Sequence, residues 1–220
     1  MTPHVASVNV GTPREERFRD RTERTAIRKH AVDGPVRVHA LGLDGDQVDD
    51  TRNHGGTFKA VYAFAAEDLA AWSARLGTHL APGAFGENLT TAGIDVNEAL
   101  VGETWRVGTA LLQVVSVRIP CSTFQRRLDS LGVDATGWVK RFTAEARPGP
   151  YLRVLEQGVV AAGDPVVVES RPDHGVTITT MFRALTTDRD LLPLLLSVAD
   201  IDPQAHSTAR AAVAAERPGP

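Results

Sequence analysis

The chain has 220 residues, a net charge of −3 at neutral pH and 42% hydrophobic residues, which is enough for one sizeable domain. This charge does not favour nucleic-acid binding, and the single cysteine excludes an intrachain disulfide and a zinc or iron–sulfur site built from several cysteines. The first residues lack a basic stretch followed by an apolar one, and no apolar run approaches the roughly 20 residues of a membrane span. We therefore expect a cytoplasmic protein that binds neither nucleic acid nor membranes.

Short apolar runs between glycines and prolines predict strands at residues 5–10, 36–41, 59–64, 100–107, 109–117, 151–155 and 165–168. The fourth and fifth form a hairpin that turns at Gly108. A helix follows the third strand, with Leu69, Trp72 and Leu76 on one face and Gly77 at its end. Many short strands with few long helices predict a mainly β fold, a closed or partly closed β-barrel with a few peripheral helices.

Residues 14–30 carry seven basic against four acidic side chains. This charge pattern is typical of a solvated loop, and it also fits an arm that binds an anion.

The pattern becomes helical from residue 173 onward. Ile178, Met181, Phe182 and Leu185 follow the spacing of one helix face. Asp188 is placed to cap a leucine-rich second helix, and Asp202-Pro203 predicts the start of a third. We therefore predict a β domain at residues 1–172 and a small three-helix segment at residues 173–220. The apolar middle helix of this segment also suggests a homodimer.

Residues 51–59 form the first of three polar segments that core packing does not explain. Gly55 and Gly56 lie between polar residues and a strand, so their backbone amides can approach an anionic ligand, with charge added by Arg52, His54 and Lys59. A plain glycine turn is the alternative interpretation.

Residues 82–91 are the second polar segment. Asn88, Thr90 and Thr91 offer hydrogen bonds to a polar ligand, and an amide that donates and accepts suits the edge of a heterocycle. The alternative is a turn whose side chains bond its own backbone.

Residues 118–123 are the third polar segment, and they contain the lone cysteine, Cys121, directly after a predicted strand. Arg118 lies close enough in the sequence to favour the thiolate, the form of cysteine that binds metals and attacks electrophiles. Ser122 and Thr123 can begin a helix. A small buried cysteine without chemistry is the alternative.

These segments together resemble the MOSC domain family, and within it the YiiM-like branch. The resemblance rests on residues 53–56 (Asn-His-Gly-Gly), 82–91, 118–121 (Arg-Ile-Pro-Cys) and 149–156. Residues 7–14 and 43–46 also match, and the helical tail is similar to the three-helix segment that follows the domain in that branch. The stretch after the cysteine, residues 122–127, differs from members that reduce N-hydroxylated purine bases, which leaves the substrate open.

The resemblance implies a β-barrel-like fold that binds the molybdenum cofactor, a molybdopterin with a dithiolene and a phosphate, and reduces N-hydroxylated compounds. It implies that Cys121 ligates molybdenum and that Arg118 neutralises nearby negative charge. The other residues that it assigns to cofactor binding are Arg52, His54, Gly55, Gly56, Asn88, Thr90 and Thr91. His54 is also a candidate proton donor. Because the chain has no cysteine set for an iron–sulfur cluster, the electrons come from a separate flavin or iron–sulfur protein.

Two alternatives to this reductase stay open at the sequence level. One is a non-catalytic carrier of the molybdenum cofactor or of sulfur, in which Cys121 holds its cargo without turnover. The other is a metal-free cysteine nucleophile paired with His54. The carrier fails to reduce a hydroxylamine or an amidoxime when electrons are supplied, and the nucleophile loses activity when the cofactor-free protein is alkylated.

Overall fold

The structure is a computed structural model that describes residues 2–19, 21–48 and 55–216. The strands are β1 (His4–Val10), β2 (Arg14–Arg17), β3 (Thr22–Thr25), β4 (His30–Ala31), β5 (Val36–His39), β6 (Gly42–Leu43), β7 (Val61–Ala65), β8 (Leu89–Ala92), β9 (Thr104–Val107), β10 (Ala110–Val117), β11 (Pro150–Glu156), β12 (Gly158–Val160) and β13 (Val166–Ser170). The α-helices are α1 (Ala66–Leu76), α2 (Ser122–Asp129), α3 (Trp138–Glu145), α4 (Ile178–Thr186) and α5 (Pro203–Glu216). Two 3-10 helices cover Thr57–Lys59 and Arg189–Ser197.

The main sheet has eight strands in the order β13-β9-β10-β11-β7-β8-β1-β4. Strands β7 and β8 are parallel because helix α1 crosses between them, whereas the other neighbouring pairs are antiparallel. Strands β12, β5 and β6 form a second small sheet, and β2 pairs with β3 in a separate hairpin.

The closed barrel expected from the sequence is not confirmed. Strand β13 is one edge of the main sheet, and it approaches β1 only through an isolated bridge between His4 and Pro165. Backbone hydrogen bonds from Val5 N to Asp164 O and from Val166 N to Pro3 O support this bridge without extending it into a ladder. The fold is a mixed, sheet-rich architecture with helices around it.

The core is built around strands β7 and β10, which are interior strands of the main sheet. All five residues of β7 are buried, and seven of the eight residues of β10 are buried. Continuous apolar strands of this kind are expected where both faces of a sheet are covered. Helix α1 covers one face with Leu69 and Trp72, and it ends as predicted at Gly77, whose φ of 62° turns the chain so that Thr78 N donates to Ser73 O at 3.2 Å.

An aromatic cluster fixes the start of helix α2. The Phe85 ring lies 5.0 Å from that of Phe124 in α2 and 5.5 Å from that of Trp138 in α3, and the Phe142 ring lies 5.2 Å from that of Phe124. Edge-on ring contacts of this kind each contribute about 0.5–1.5 kcal/mol beyond the area they bury. The cluster therefore holds the residues before α2 against the sheet.

The C-terminal helices pack on the same core as the sheet. Backbone hydrogen bonds join Val101 N to Val176 O and Asp202 N to Val115 O. Met181 and Phe182 of α4 are fully buried in the shared apolar cluster. The boundary between residues 172 and 173 as a domain division stays a prediction, as does the homodimer.

The leucine-rich middle segment is a 3-10 helix, with Pro193 inside it, instead of the expected second α-helix. Asp188 does not cap it, since its carboxylate accepts a hydrogen bond from Arg183. The third predicted helix, α5, begins at Pro203 as expected. No described helix combines the length and the apolar composition that a membrane-crossing segment requires.

Candidate functional site

Cys121 stands at the junction between strand β10 and helix α2. It is the N-cap residue of α2, with extended backbone angles of φ −134° and ψ 172°, and its carbonyl accepts a hydrogen bond from Gln125 N at 3.2 Å. The side chain makes no cap hydrogen bond and is partly buried. The backbone is thus fixed at the start of the helix, and Cys121 is a lining residue of two neighbouring cavities.

The first cavity, which we call the inner cavity, has a volume of about 130 Å³. It brings together residues from six separate segments of the sequence. The lining residues that matter for its chemistry are Arg24, Lys29, Lys59, Tyr62, Asn88, Arg118 and Cys121. Four of these are basic, so the inner cavity is suited to a ligand with negative charge.

Arg118 is the most unusual residue that lines the inner cavity, because it is a cation that is only 6% exposed. Its Nη1 donates to the hydroxyl of Tyr151 at 2.7 Å, and its guanidinium lies 5.6 Å from the ring centre of Tyr62 and 5.4 Å from that of Phe124. Its Nε is buried without a hydrogen-bond partner, and it forms no ion pair with any carboxylate of the described residues.

The charge of Arg118 is nevertheless retained. Burial acts to lower the pKa of its guanidinium, yet the neighbouring Tyr151, Cys121 and Tyr62 raise it above its ordinary value. Buried donors are nearly always satisfied in folded proteins, so the unpaired Nε marks Arg118 as a cation whose burial the described residues do not compensate.

A network of hydrogen bonds around Asp46 holds several other lining residues of the inner cavity in place. Lys29 Nζ lies 2.5 Å from Asp46 Oδ2, and Asn88 Nδ2 donates to the same oxygen at 2.8 Å. Gly11 N donates to Asp46 Oδ1 at 2.8 Å, and Asn88 Oδ1 accepts from Tyr62 N at 3.1 Å. Burial lowers the pKa of the Lys29 ammonium, although Asp46 partly opposes this effect.

Glu87 organises the loop that carries Asn88. Its fully buried carboxylate accepts hydrogen bonds from Gly83 N at 2.6 Å, Phe85 N at 3.0 Å and Thr90 Oγ1 at 2.9 Å. Burial raises the pKa of this carboxyl above its ordinary value, although the hydrogen bonds oppose the shift. This is the internally bonded turn that the sequence left open as an alternative.

The three residues predicted from residues 82–91 therefore take different positions. Asn88 lines the inner cavity, whereas Thr90 and Thr91 are buried beside it and do not line it. Thr90 accepts a hydrogen bond from Asn9 Nδ2 at 3.0 Å, and the Thr91 hydroxyl is buried without a partner. Direct contact of Thr90 or Thr91 with a cofactor stays a prediction.

The first polar segment is described only in part. Arg52 and His54 lie outside the described residues. Gly55 and Gly56 precede the 3-10 helix at Thr57–Lys59, and neither glycine lines the inner cavity. Lys59, at the end of that short helix, lines it.

In the basic segment at residues 14–30, β2 and β3 form a hairpin, whereas residues 26–29 have no regular secondary structure. Glu23 of β3 accepts hydrogen bonds from Thr123 Oγ1 at 2.8 Å and from Arg126 Nη2 at 2.6 Å, both in α2. The hairpin is thus tied to the helix that begins at Cys121, and it places Arg24 on the wall of the inner cavity. Binding of an anion by this arm stays a prediction.

Sequence reasoning missed three residues of this site: Tyr62, Tyr151 and Asp46. Both tyrosines lie in apolar stretches that indicate buried strands, and Asp46 lies in a glycine–aspartate turn. No local pattern distinguishes them from ordinary core and turn residues.

A second cavity of about 530 Å³, which we call the outer groove, lies on the other side of Cys121. It runs between residues 116–123 and the start of helix α5, and it shares Lys59, Cys121 and Thr123 with the inner cavity. The thiol is therefore accessible from two spaces of different size.

Within the described residues, no three His, Cys, Asp or Glu side chains lie close enough together to hold a metal ion. A metal at Cys121 would therefore take most of its other ligands from a cofactor. A single soft thiolate beside a cationic cavity and an unsatisfied buried donor fits a metal carried by an anionic dithiolene.

A family model for the MOSC domain matches residues 50–167, more than half of the chain. Among curated proteins, the chain is 32% identical over 178 residues to the uncharacterized protein YflK of Bacillus subtilis, covering 79% of this chain and 76% of that one. It is 30% identical over 151 residues to the protein YiiM of Escherichia coli, covering 67% of this chain and 65% of that one. It is also 31% identical over 178 residues to a reductase of Gibberella moniliformis, covering 78% of this chain and 30% of the longer protein.

Solved structures agree with these sequence relationships. The crystal structure of YiiM from Geobacillus stearothermophilus superposes with a TM-score of 0.78 at 26% identity, over 96% of this chain and 99% of that chain. The residues matched by the MOSC family model include strand β10, the cysteine after it and the inner-cavity loop at residues 82–91. The chain therefore belongs to the MOSC domain family, as a YiiM-like member.

Proposed function

We propose that the protein binds the molybdenum cofactor in the inner cavity and reduces N-hydroxylated compounds with electrons from a separate flavin or iron–sulfur protein. The observation that carries this proposal is the buried cation of Arg118, which lines the same cavity as Cys121 and whose Nε has no hydrogen-bond partner among the described residues. Membership of the MOSC family and the 31% identity to a protein named as a reductase support it.

The described residues fit an anionic cofactor. Cys121 would ligate molybdenum, and Arg118 would donate to the negatively charged dithiolene or phosphate. Asn88 and the Lys29–Asp46 pair would border the pterin, while Arg24 and Lys59 add positive charge to the cavity. The roles of Arg52, His54, Gly55, Gly56, Thr90 and Thr91 in holding the cofactor remain part of the proposal.

The bound cofactor supplies two-electron exchange at molybdenum, which is the chemistry that cleavage of an N–O bond needs. The overall reaction converts R–NH–OH, two electrons and two protons to R–NH₂ and water. The role of the chain is to hold the thiolate of Cys121 and to keep Arg118 cationic beside it. His54 is the proposed source of one proton to the departing oxygen.

Molybdenum and pterin content of protein from a cofactor-competent host tests the metal-ligand role. Wild type should carry close to one molybdenum per chain, Cys121→Ser should lose it, and the exposed neighbour Ser122→Ala should keep it. Wild type with neither molybdenum nor pterin would refute the proposal.

Turnover separates the reductase from the alternatives. Reduction of hydroxylamine or an amidoxime by the loaded protein, with a chemically reduced dye as donor, supports the reductase. Full occupancy without turnover identifies a carrier instead. Activity of the cofactor-free protein that disappears when Cys121 is alkylated identifies the metal-free nucleophile.

A further inference from the structure

The two cavities that meet at Cys121 differ in charge. The inner cavity is lined by four basic and two acidic residues, so it carries net positive charge, and its volume is small. Among the lining residues that the structure describes, the outer groove has one basic side chain, Lys59, and one acidic side chain, Asp202. Hydroxyl and amide groups and apolar side chains form the rest of its surface. The outer groove is therefore close to neutral overall.

The far wall of the outer groove is rigidly attached to the sheet. The Asp202 carboxylate accepts hydrogen bonds from Ser116 Oγ at 2.9 Å and from Gln204 N at 2.9 Å, and Asp202 N donates to Val115 O at 2.9 Å. One turn further along α5, Thr208 Oγ1 donates to the carbonyl of Gln204 at 2.9 Å. The start of α5 is thus held at a fixed distance from the cysteine loop, as a specificity wall requires.

The floor of the outer groove is apolar. Val117, Ile119 and Pro120 contribute it from the cysteine loop, and Leu185 and Ala205 contribute it from α4 and α5. The outer groove, at about 530 Å³, is larger than the inner cavity and far exceeds what hydroxylamine itself fills.

We propose that the outer groove is the substrate side of the site, and that the first two turns of α5 select the substrate through Gln204 and Thr208. The substrate class is an N-hydroxylated compound of low net charge with a planar apolar body, such as an aryl amidoxime. This inference rests on the proposed function, because a cofactor in the inner cavity leaves the groove as the open approach to Cys121. The N–O bond is cleaved at the cysteine end, and the groove holds the remaining body of the molecule.

Thr208→Trp tests the proposal, because the added ring fills the groove from a partly exposed position on α5. Ser207→Trp is the matched control: it places the same ring at the next, exposed residue, which does not line the groove. For Thr208→Trp we expect the ratio of kcat/KM for an aryl amidoxime to kcat/KM for hydroxylamine to fall at least tenfold, with the molybdenum content of wild type. Ser207→Trp should keep the wild-type ratio. An unchanged ratio in Thr208→Trp, or loss of molybdenum from it, would overturn the proposal.

Binding to the cofactor-free protein gives a readout that does not depend on turnover, since the walls of the groove are protein side chains. The aryl amidoxime should bind wild type in ligand-observed NMR and should slow alkylation of Cys121, and Thr208→Trp should weaken both effects at least tenfold. If Thr208→Trp weakens binding of the amidoxime but loaded wild type shows no turnover, the outer groove is a binding site and the proposed reductase activity is wrong. Turnover of the amidoxime with equal binding in wild type and Thr208→Trp would retain the reductase and reject the groove, as would no binding to wild type.

Discussion

Replacing Arg118 by methionine should separate stability from cofactor binding. The guanidinium is buried, and its Nε has no hydrogen-bond partner. Burial acts to lower the pKa of the guanidinium, and the neighbouring Tyr151, Cys121 and Tyr62 act to raise it. Functional sites often keep such unfavourable groups because a ligand satisfies them.

The magnitude follows from the contacts of Arg118. Removing a buried, unpaired cation relieves a desolvation cost of several kcal/mol. The variant loses one hydrogen bond to Tyr151, about 1.5–3 kcal/mol, and two cation–π contacts, roughly 0.5–1 kcal/mol each. Methionine fills much of the same space between the rings of Tyr62 and Phe124. We therefore expect cofactor-free Arg118→Met to be as stable as wild type, or more stable by about 1–2 kcal/mol.

Cofactor binding should change in the opposite direction. Loss of one charged hydrogen bond to the cofactor costs about 1.5–3 kcal/mol, which is roughly a 10- to 150-fold loss of affinity. Molybdenum content after gel filtration measures this loss, and urea unfolding of cofactor-free protein measures stability.

Arg147→Met is the matched control, because Arg147 lies 2.6 Å from Asp68 and 2.9 Å from Asp95. This variant leaves the partly buried Asp68 without its cation, so it should lose about 1–3 kcal/mol of stability and retain molybdenum. If Arg118→Met destabilises the cofactor-free protein as much as Arg147→Met does, Arg118 is a structural residue and the reasoning is wrong.

Three further predictions concern the frame of the site. Burial raises the pKa of Glu87 above its ordinary 4.5, so the native protein takes up this proton at a higher pH than the unfolded chain does. Urea unfolding should therefore show that the free energy of unfolding of wild type rises relative to that of Glu87→Gln as the pH falls from 7 towards 4.5. A fall in this difference over the same pH range would contradict the prediction. Gly149→Ala, whose Cβ would lie 2.3 Å from a carbonyl oxygen of β7, should cost more than about 3 kcal/mol, against about 1 kcal/mol for Gly77→Ala, which meets open space; equal losses in thermal unfolding would refute the comparison. Glu23→Gln should weaken the hydrogen bond between the hairpin and Arg126. We expect faster loss of molybdenum on dialysis and faster proteolysis within residues 14–25. Wild-type rates of both would show that other contacts hold the hairpin in place.

Local signals were sufficient for several elements of the fold. The hairpin of β9 and β10 turns at Gly108, helix α1 ends at Gly77, and helix α2 begins directly after Cys121, all as predicted. Each of these features depends on a glycine that adopts a positive φ or on a residue that starts a helix, so a few neighbouring residues determine it.

Elements that depend on distant contacts were not predicted. The hairpin β2–β3 consists mainly of charged residues, so it lacks the alternation of apolar and polar residues that identifies a half-buried strand. Helix α3 presents only Trp138 and Phe142 to the core, and both are held by the aromatic cluster. The Arg189–Ser197 segment has helical leucine spacing, but Pro193 lacks an N–H and clashes with the preceding turn, which disfavours a regular α-helix.

The candidate site shows the same division. The lone cysteine and the arginine three residues before it were found from the sequence because both lie in one short segment. The unsatisfied Nε of Arg118 and the Lys29–Asp46 pair were not, since they depend on how separate segments meet. The closed barrel stays unconfirmed for a related reason: strand patterns give no information on how the two edges of a sheet approach each other.

The position of the thiol between two cavities follows from the short segment that connects β10 to α2. Along an extended backbone, successive side chains point in alternating directions. Arg118 lines the inner cavity, whereas Ile119, which is 43% exposed, lines the outer groove. Cys121 contacts both spaces because it is the residue at which the extended segment ends and the helix begins. Under the proposed function, a charged cofactor in the inner cavity and a nearly neutral substrate in the outer groove would therefore meet at one residue, Cys121.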